Sequence, residues 1–143
     1  MSVCVHIVDG PVERQPEPDR ATLSDAGAVL TFLGVVRGLE EGAPLESIDY
    51  QTYDPMAQRE LERLVNETAI QFGLLAISLV HSRGVVPIGQ PSLLIEIRSA
   101  HRREGLDAMD SLIDHLKRDV PIWKRPIFAE PTRPAPGREP HDA

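Results

Sequence analysis

One cysteine, one tryptophan and three phenylalanines are all that 143 residues contain of those types, and each scarcity removes a class of explanation. Cys4 alone cannot form an internal disulfide or a multi-cysteine metal site. Its place in the alternating run VCVHIV favours a buried strand thiol over a nucleophile. The five histidines have no close metal-ligand spacing and no His-Glu-x-x-His helix is present, so no metal or other cofactor is assigned. A glycine-rich phosphate loop and a Gly-x-Ser-x-Gly elbow are missing as well. Every apolar run falls short of the roughly eighteen residues that span a bilayer, and MSVCVHIVDG has neither a basic n-region nor a long apolar h-region. These absences lead us to expect a soluble, cytoplasmic protein. Positive charge is also in deficit: 15 lysines and arginines against 22 acidic residues leave a net charge of −7. That balance argues against a general nucleic-acid binder, because phosphate backbones demand a basic face. Any anion site must be local.

What is present reads as one compact domain over residues 1–129, followed by a proline-rich, charged flexible tail over 130–143. VCVHIV alternates as a strand; DGPVERQPEPDR breaks it into a surface loop leading to a short helical turn around Ala21 to Ala26. GAVLTFLGVVRG, rich in β-branched residues and bounded by glycines, predicts a buried strand, LEEGAP a mobile loop and ESIDYQTY another strand. Asp54 and Pro55 supply an N-cap and a first helical residue, and Leu61, Leu64, Val65, Ala69 and Phe72 recur at helical spacing before a stop at Gly73. LLAISLVHSRG and PSLLIEIRSA predict two further strands around a turn at VPIGQ. Ser99 is placed to cap a second helix with a buried stripe of Leu106, Met109, Ile113 and Leu116, ending near Arg118. PIWKRPIFA predicts a last extended segment. Strands with two separated helices and short connections fit an α+β domain, a mostly antiparallel sheet covered by two main helices.

The chemistry has to lie among the charged groups. Lys117 and Arg118 suit a helix C-terminus, where the macrodipole favours cations. His101, Arg102 and Arg103 crowd the start of the same helix, where the dipole is already positive. They either pair with Glu104 or Asp107 or attend a bound anion. Arg37 stands at a strand end between glycines, as a surface arginine or as part of a site. Trp123, flanked by Pro121 and by Lys124 and Arg125, is either a core anchor or the wall of a pocket for a flat ring. His81 reads as a strand residue with a structural hydrogen bond.

Taken in order, TFLGVVRG, YQTYDPMA, HSRGVVPIGQ and RSAHRREGLDAMDSLIDHLKRDVPIWKR resemble the large, catalytic subunit of molybdopterin synthase over roughly residues 26 to 125. The resemblance implies an α/β-hammerhead-like fold and a homodimer within a heterotetramer. The partner it implies is a small ubiquitin-like sulfur-carrier subunit whose Gly-Gly C-terminus ends in a thiocarboxylate. The activity it implies is sulfur transfer from that carrier to cyclic pyranopterin monophosphate, forming the molybdopterin dithiolene in molybdenum cofactor biosynthesis. By matching position, Lys117 and Lys124 are its two active-site lysines, while Arg37, His101, Arg102 and Arg125 join them in binding substrate.

Three positions depart from the family pattern. Pro126 replaces a usual glutamate, Val35 stands where a polar or basic residue is frequent, and the tail lacks the customary charged-aromatic ending, leaving Arg133 and Arg138 as unaligned substitutes. An alternative of another class is a non-catalytic carrier- or phosphate-binding module on the same fold. Retention of both lysines weighs against it.

Overall fold

The structure is a computed structural model that describes residues 1–13 and 24–130. Among the described residues nine elements follow in chain order: β1 (Ser2–Asp9), β2 (Ala28–Val35), β3 (Leu39–Glu40), β4 (Ala43–Thr52), α1 (Met56–Phe72), β5 (Ala76–Pro87), β6 (Pro91–Ser99), α2 (Arg102–Asp119) and β7 (Ile122–Phe128). The expected tail lies outside the described residues apart from Glu130, as does the first half of the expected turn around Ala21 to Ala26.

β5 joins two sub-sheets. Its first half pairs antiparallel with β6, which pairs antiparallel with β2, and on its other side pairs in parallel with β1. Its last residues, Gly84 to Pro87, pair with β4, whose partners also include β7 and β3. Gly84 marks the changeover with φ of 86°, a conformation that L side chains rarely adopt. Both helices cover one face of the first sub-sheet, α1 against β1 and β5, α2 against β2 and β6. Between them lies the main core, with Leu61, Val65, Leu79, Ile95, Ile97 and Leu112 wholly removed from water. A smaller core of Val36, Leu45, Ile48, Tyr50 and Val86 holds the second sub-sheet.

Several expectations are corrected. LEEGAP is a hairpin: Leu39 and Glu40 pair with Pro44 and Ala43, and Glu41 and Gly42 take φ of 49° and 80°, as a tight two-residue turn requires. Asp54 does not cap α1, because its carboxylate accepts instead from Thr52 Oγ1 (2.9 Å) and Arg83 (2.8 Å), and Pro55 occupies the cap position. Gly73 closes α1 in the left-handed conformation, as its sequence position suggests. His101 rather than Ser99 stands at the N-cap of α2; Ser99 Oγ donates to the His101 carbonyl. The buried stripe of α2 is Gly105, Ala108, Met109, Leu112 and Leu116, and Leu106 is 56% exposed. The phase is set by Gly105, whose missing side chain lets the helix approach: a Cβ there would lie 2.7 Å from Ser99 Oγ. Cys4 is exposed, since Val3, Val5 and Ile7 take the helix-covered face of β1.

Candidate functional site

Where the two sub-sheets meet, a cavity of about 440 Å³ opens between the end of β2, the last turns of α2 and the inner face of β4 and β7. Its apolar wall comes from Phe32, Leu33, Ile113 and Leu116, and its charged groups are Arg37, Lys117 and Lys124. A contiguous lobe of about 280 Å³ carries the same two lysines together with Ile122.

Each lysine arrives by the logic of its own element. Lys117 follows Leu116 in the last turn of α2, so burial of Leu116 against the core fixes the neighbouring side chain at the cavity rim. Lys124 is positioned by strand alternation. In β7, Ile122, Lys124 and Pro126 stand opposite Thr52, Tyr50 and Ile48, and this is the face that looks inward. Neither lysine, nor Arg37, has an ion-pair or hydrogen-bond partner among the described residues. Three unpaired cations around one concavity make a site for an anionic ligand.

The same alternation separates Arg125 from Lys124. Arg125 lies on the opposite face of β7, where its guanidinium donates to Asp49 at 3.1 Å. Trp123 shares that outer face and is 57% exposed, so it is neither a core anchor nor a wall of this cavity. His101 and Arg102 also stand apart. Fifteen residues of α2 separate Arg102 from Lys117, which at about 1.5 Å per residue is about 22 Å along the axis. At that far end Glu104 accepts from the His101 backbone N–H at 3.1 Å, and no ion pair engages Arg102 or Arg103 among the described residues.

Three lining groups escaped sequence reasoning: Tyr50, His81 and Ser92. Tyr50 and His81 meet edge to face, with centroids 5.3 Å apart and planes at 81°. The Tyr50 hydroxyl donates to Ser92 Oγ at 2.9 Å. Burial pushes the Tyr50 phenol up, while burial and then the nearby Lys124 charge push the His81 imidazole down, against an opposing backbone hydrogen bond at Ser82. The available signal was a histidine directly after the apolar pair Leu79 and Val80 in β5; only the bend in β5 shows that it faces a cavity.

Among the described residues no helix is long and apolar enough to cross a membrane. Comparison with known proteins places this architecture. A family model described as MoaE protein matches residues 11–119. The molybdopterin synthase catalytic subunit of Arabidopsis thaliana is 39% identical over 110 residues, 77% of this chain and 56% of that protein. The protein of the same description from Rattus norvegicus is 39% identical over 106 residues, 74% of this chain and 53% of its own length. The chain thus spans about half the length of these relatives. Among solved structures, the molybdopterin synthase from Staphylococcus aureus superposes with a TM-score of 0.73 at 30% identity, covering 87% of this chain and 90% of the other. By sequence and by fold, this chain is a member of the MoaE protein family.

Proposed function

We propose that this chain is a sulfurtransferase, the catalytic subunit of a cytoplasmic molybdopterin synthase. It moves sulfur from the thiocarboxylated Gly-Gly end of a small ubiquitin-like carrier to cyclic pyranopterin monophosphate, building the dithiolene. The observation that carries this reading is the convergence of Lys117 and Lys124, from a helix end and a separate strand, on one cavity with Arg37 and, among the described residues, no carboxylate in its lining. A Gly-Gly terminus is thin enough to enter such an opening, and its thiocarboxylate is an anion that unpaired ammonium groups attract. Lys117 acts beside the thiocarboxylate carbon, Lys124 steadies charge on substrate and leaving group, and Arg37 holds phosphate or pterin.

His101 and Arg102 enter this reading through a second copy. Their own Lys117 is about 22 Å away along the helix, so a homodimer within a heterotetramer is the arrangement in which they serve a phosphate near the lysines. Arg125 is left out of the pocket, since its carboxylate partner lies on the outer face.

The deciding experiment mixes purified protein with thiocarboxylated carrier and cyclic pyranopterin monophosphate and measures dithiolene formation. A product is expected. Tight carrier binding with no sulfur transferred would instead establish a non-catalytic binding module on the same fold.

A further inference from the structure

Of the groups around the cavity, His81 has a chemistry that the lysines and the arginine do not duplicate. It is 5% exposed and sits just before the bend in β5. Its Nδ1 lies 2.7 Å from the Ser82 carbonyl oxygen. A carbonyl only accepts, so Nδ1 carries the hydrogen and the neutral ring keeps its lone pair on Nε2. Among the described residues Nε2 has no hydrogen-bond partner, yet it is not one of the buried polar atoms cut off from solvent, so it opens to the cavity that the residue lines. Tyr50, tied to Ser92, holds the ring edge-on. The titratable groups that share the cavity are Tyr50 on β4, Lys117 on α2, Lys124 on β7 and Arg37 beyond β2. Burial and the Lys124 charge keep the imidazole neutral to lower pH than usual. The site therefore holds one neutral base among cations.

The sulfur transfer proposed above, on which this inference rests, needs such a base. When the thiocarboxylate sulfur bonds to a substrate carbon, displacing an oxygen substituent from it, while still attached to the acyl carbon, carrier and substrate are joined as a thioester. Release requires the acyl carbon–sulfur bond to break and an oxygen to replace the sulfur, and water supplies it. We propose that His81 is the general base of this release step: Nε2 takes a proton from water as the water oxygen bonds to the acyl carbon. The carbon–sulfur bond then breaks with its electron pair on sulfur, leaving a thiolate on the substrate beside Lys117 and Lys124. The carrier leaves as a carboxylic acid that ionises, and the imidazolium returns its proton to solvent.

His81→Asn tests the assignment, because the amide can still donate to the Ser82 carbonyl but offers no basic nitrogen. With thiocarboxylated carrier and cyclic pyranopterin monophosphate, the variant should form the first carbon–sulfur bond and accumulate a covalent carrier–substrate adduct visible by intact mass. Single-turnover release should slow by about a hundredfold or more. In the unaltered protein the release rate should climb with pH and level off below the ordinary imidazole value, and this ascending limb should vanish in the variant. Release at the unaltered rate in His81→Asn would overturn the proposal. So would release by the unaltered protein at the same rate in light and heavy water, because proton transfer to Nε2 would then not be part of the rate-limiting step, a result that decides the matter even where the variant fails to fold. Absence of both adduct and product in the unaltered protein would overturn the sulfur-transfer reading and the His81 assignment with it.

Discussion

Adjacent residues of one strand have opposite fates here. Lys124 faces Tyr50 and the cavity, whereas Arg125 faces Asp49 and solvent, because successive side chains leave a strand on opposite sides. The basic pair KR therefore contributes one charge to the site. Lys117→Ala is expected to lower turnover by about a hundredfold or more, on the scale of losing an acid-base group. Its folding should be nearly unchanged, since an exposed cation at a helix end contributes only about 0.3–1 kcal/mol. Lys124→Ala should reduce turnover and substrate affinity together. Arg125→Ala, which breaks only a surface ion pair worth at most about 1 kcal/mol, should leave turnover within about twofold, and steady-state kinetics on the three variants would separate them. A comparable loss in Arg125→Ala would contradict the inward and outward assignment. His81 also couples the site to stability. Its folded pKa is lowered by burial, so below the ordinary imidazole value the unfolded chain takes up a proton that the folded chain refuses. The stability it contributes is present above that value and is lost progressively as pH falls from it to the lowered folded value. Urea midpoints at acidic and neutral pH should differ by less in His81→Asn than in the unaltered protein.

At the scale of elements, periodicity made most of the fold legible. Val3, Val5 and Ile7, the α1 stripe through Leu61 and Val65, and the apolar runs of β5 and β6 each bury one face as their spacing requires. What stayed hidden depended on contacts between distant segments. Leu106 fits a helical stripe by spacing, yet α2 turns Gly105 to the sheet, because close approach to Leu30 and Ser99 leaves no room for a side chain. Trp123 looked like an anchor by size, but register with Gln51 places it on the outer face. Asp54 had the chemistry of a cap and was claimed by Arg83, a residue 29 positions away. The entry to β2 depends on a comparable constraint. Gly27 donates its N–H to the Ser99 carbonyl, and a Cβ on it would overlap the backbone oxygen of Ala100. Gly27→Ala should therefore destabilise the protein by about 1–3 kcal/mol, the usual cost of overpacking, measured as a lower urea midpoint. It should also disturb the Ala100–His101 backbone that starts α2.

For the whole molecule, a net charge of −7 confines any anion site to a local cluster, and among the described residues two basic clusters stand at opposite ends of α2. Arg37, Lys117 and Lys124 share the cavity; His101 and Arg102 flank the helix start. The sequence named all five, yet it could not divide them between ends of the molecule, since the division is a matter of helix length and of which faces pack. An arginine at a helix N-terminus suits a phosphate, so Arg102→Ala should weaken binding of cyclic pyranopterin monophosphate while leaving carrier binding nearly intact, measured by calorimetry with each ligand. Whether that phosphate belongs to the chain's own lysines or to those of a second copy can be read from mixed dimers. One copy carries Arg102→Ala and the other Lys117→Ala, with different tags used to isolate the mixed species. If His101 and Arg102 serve the site across the dimer, one site of each mixed dimer keeps an intact lysine and an intact arginine while the other loses both. Turnover should then recover to about half that of the unaltered dimer. If each copy serves its own lysines, both sites carry one defect and turnover should stay near that of the single variants. The second outcome would overturn the crossed arrangement, since it would require one substrate site to draw on both ends of a single α2, about 22 Å apart along the axis.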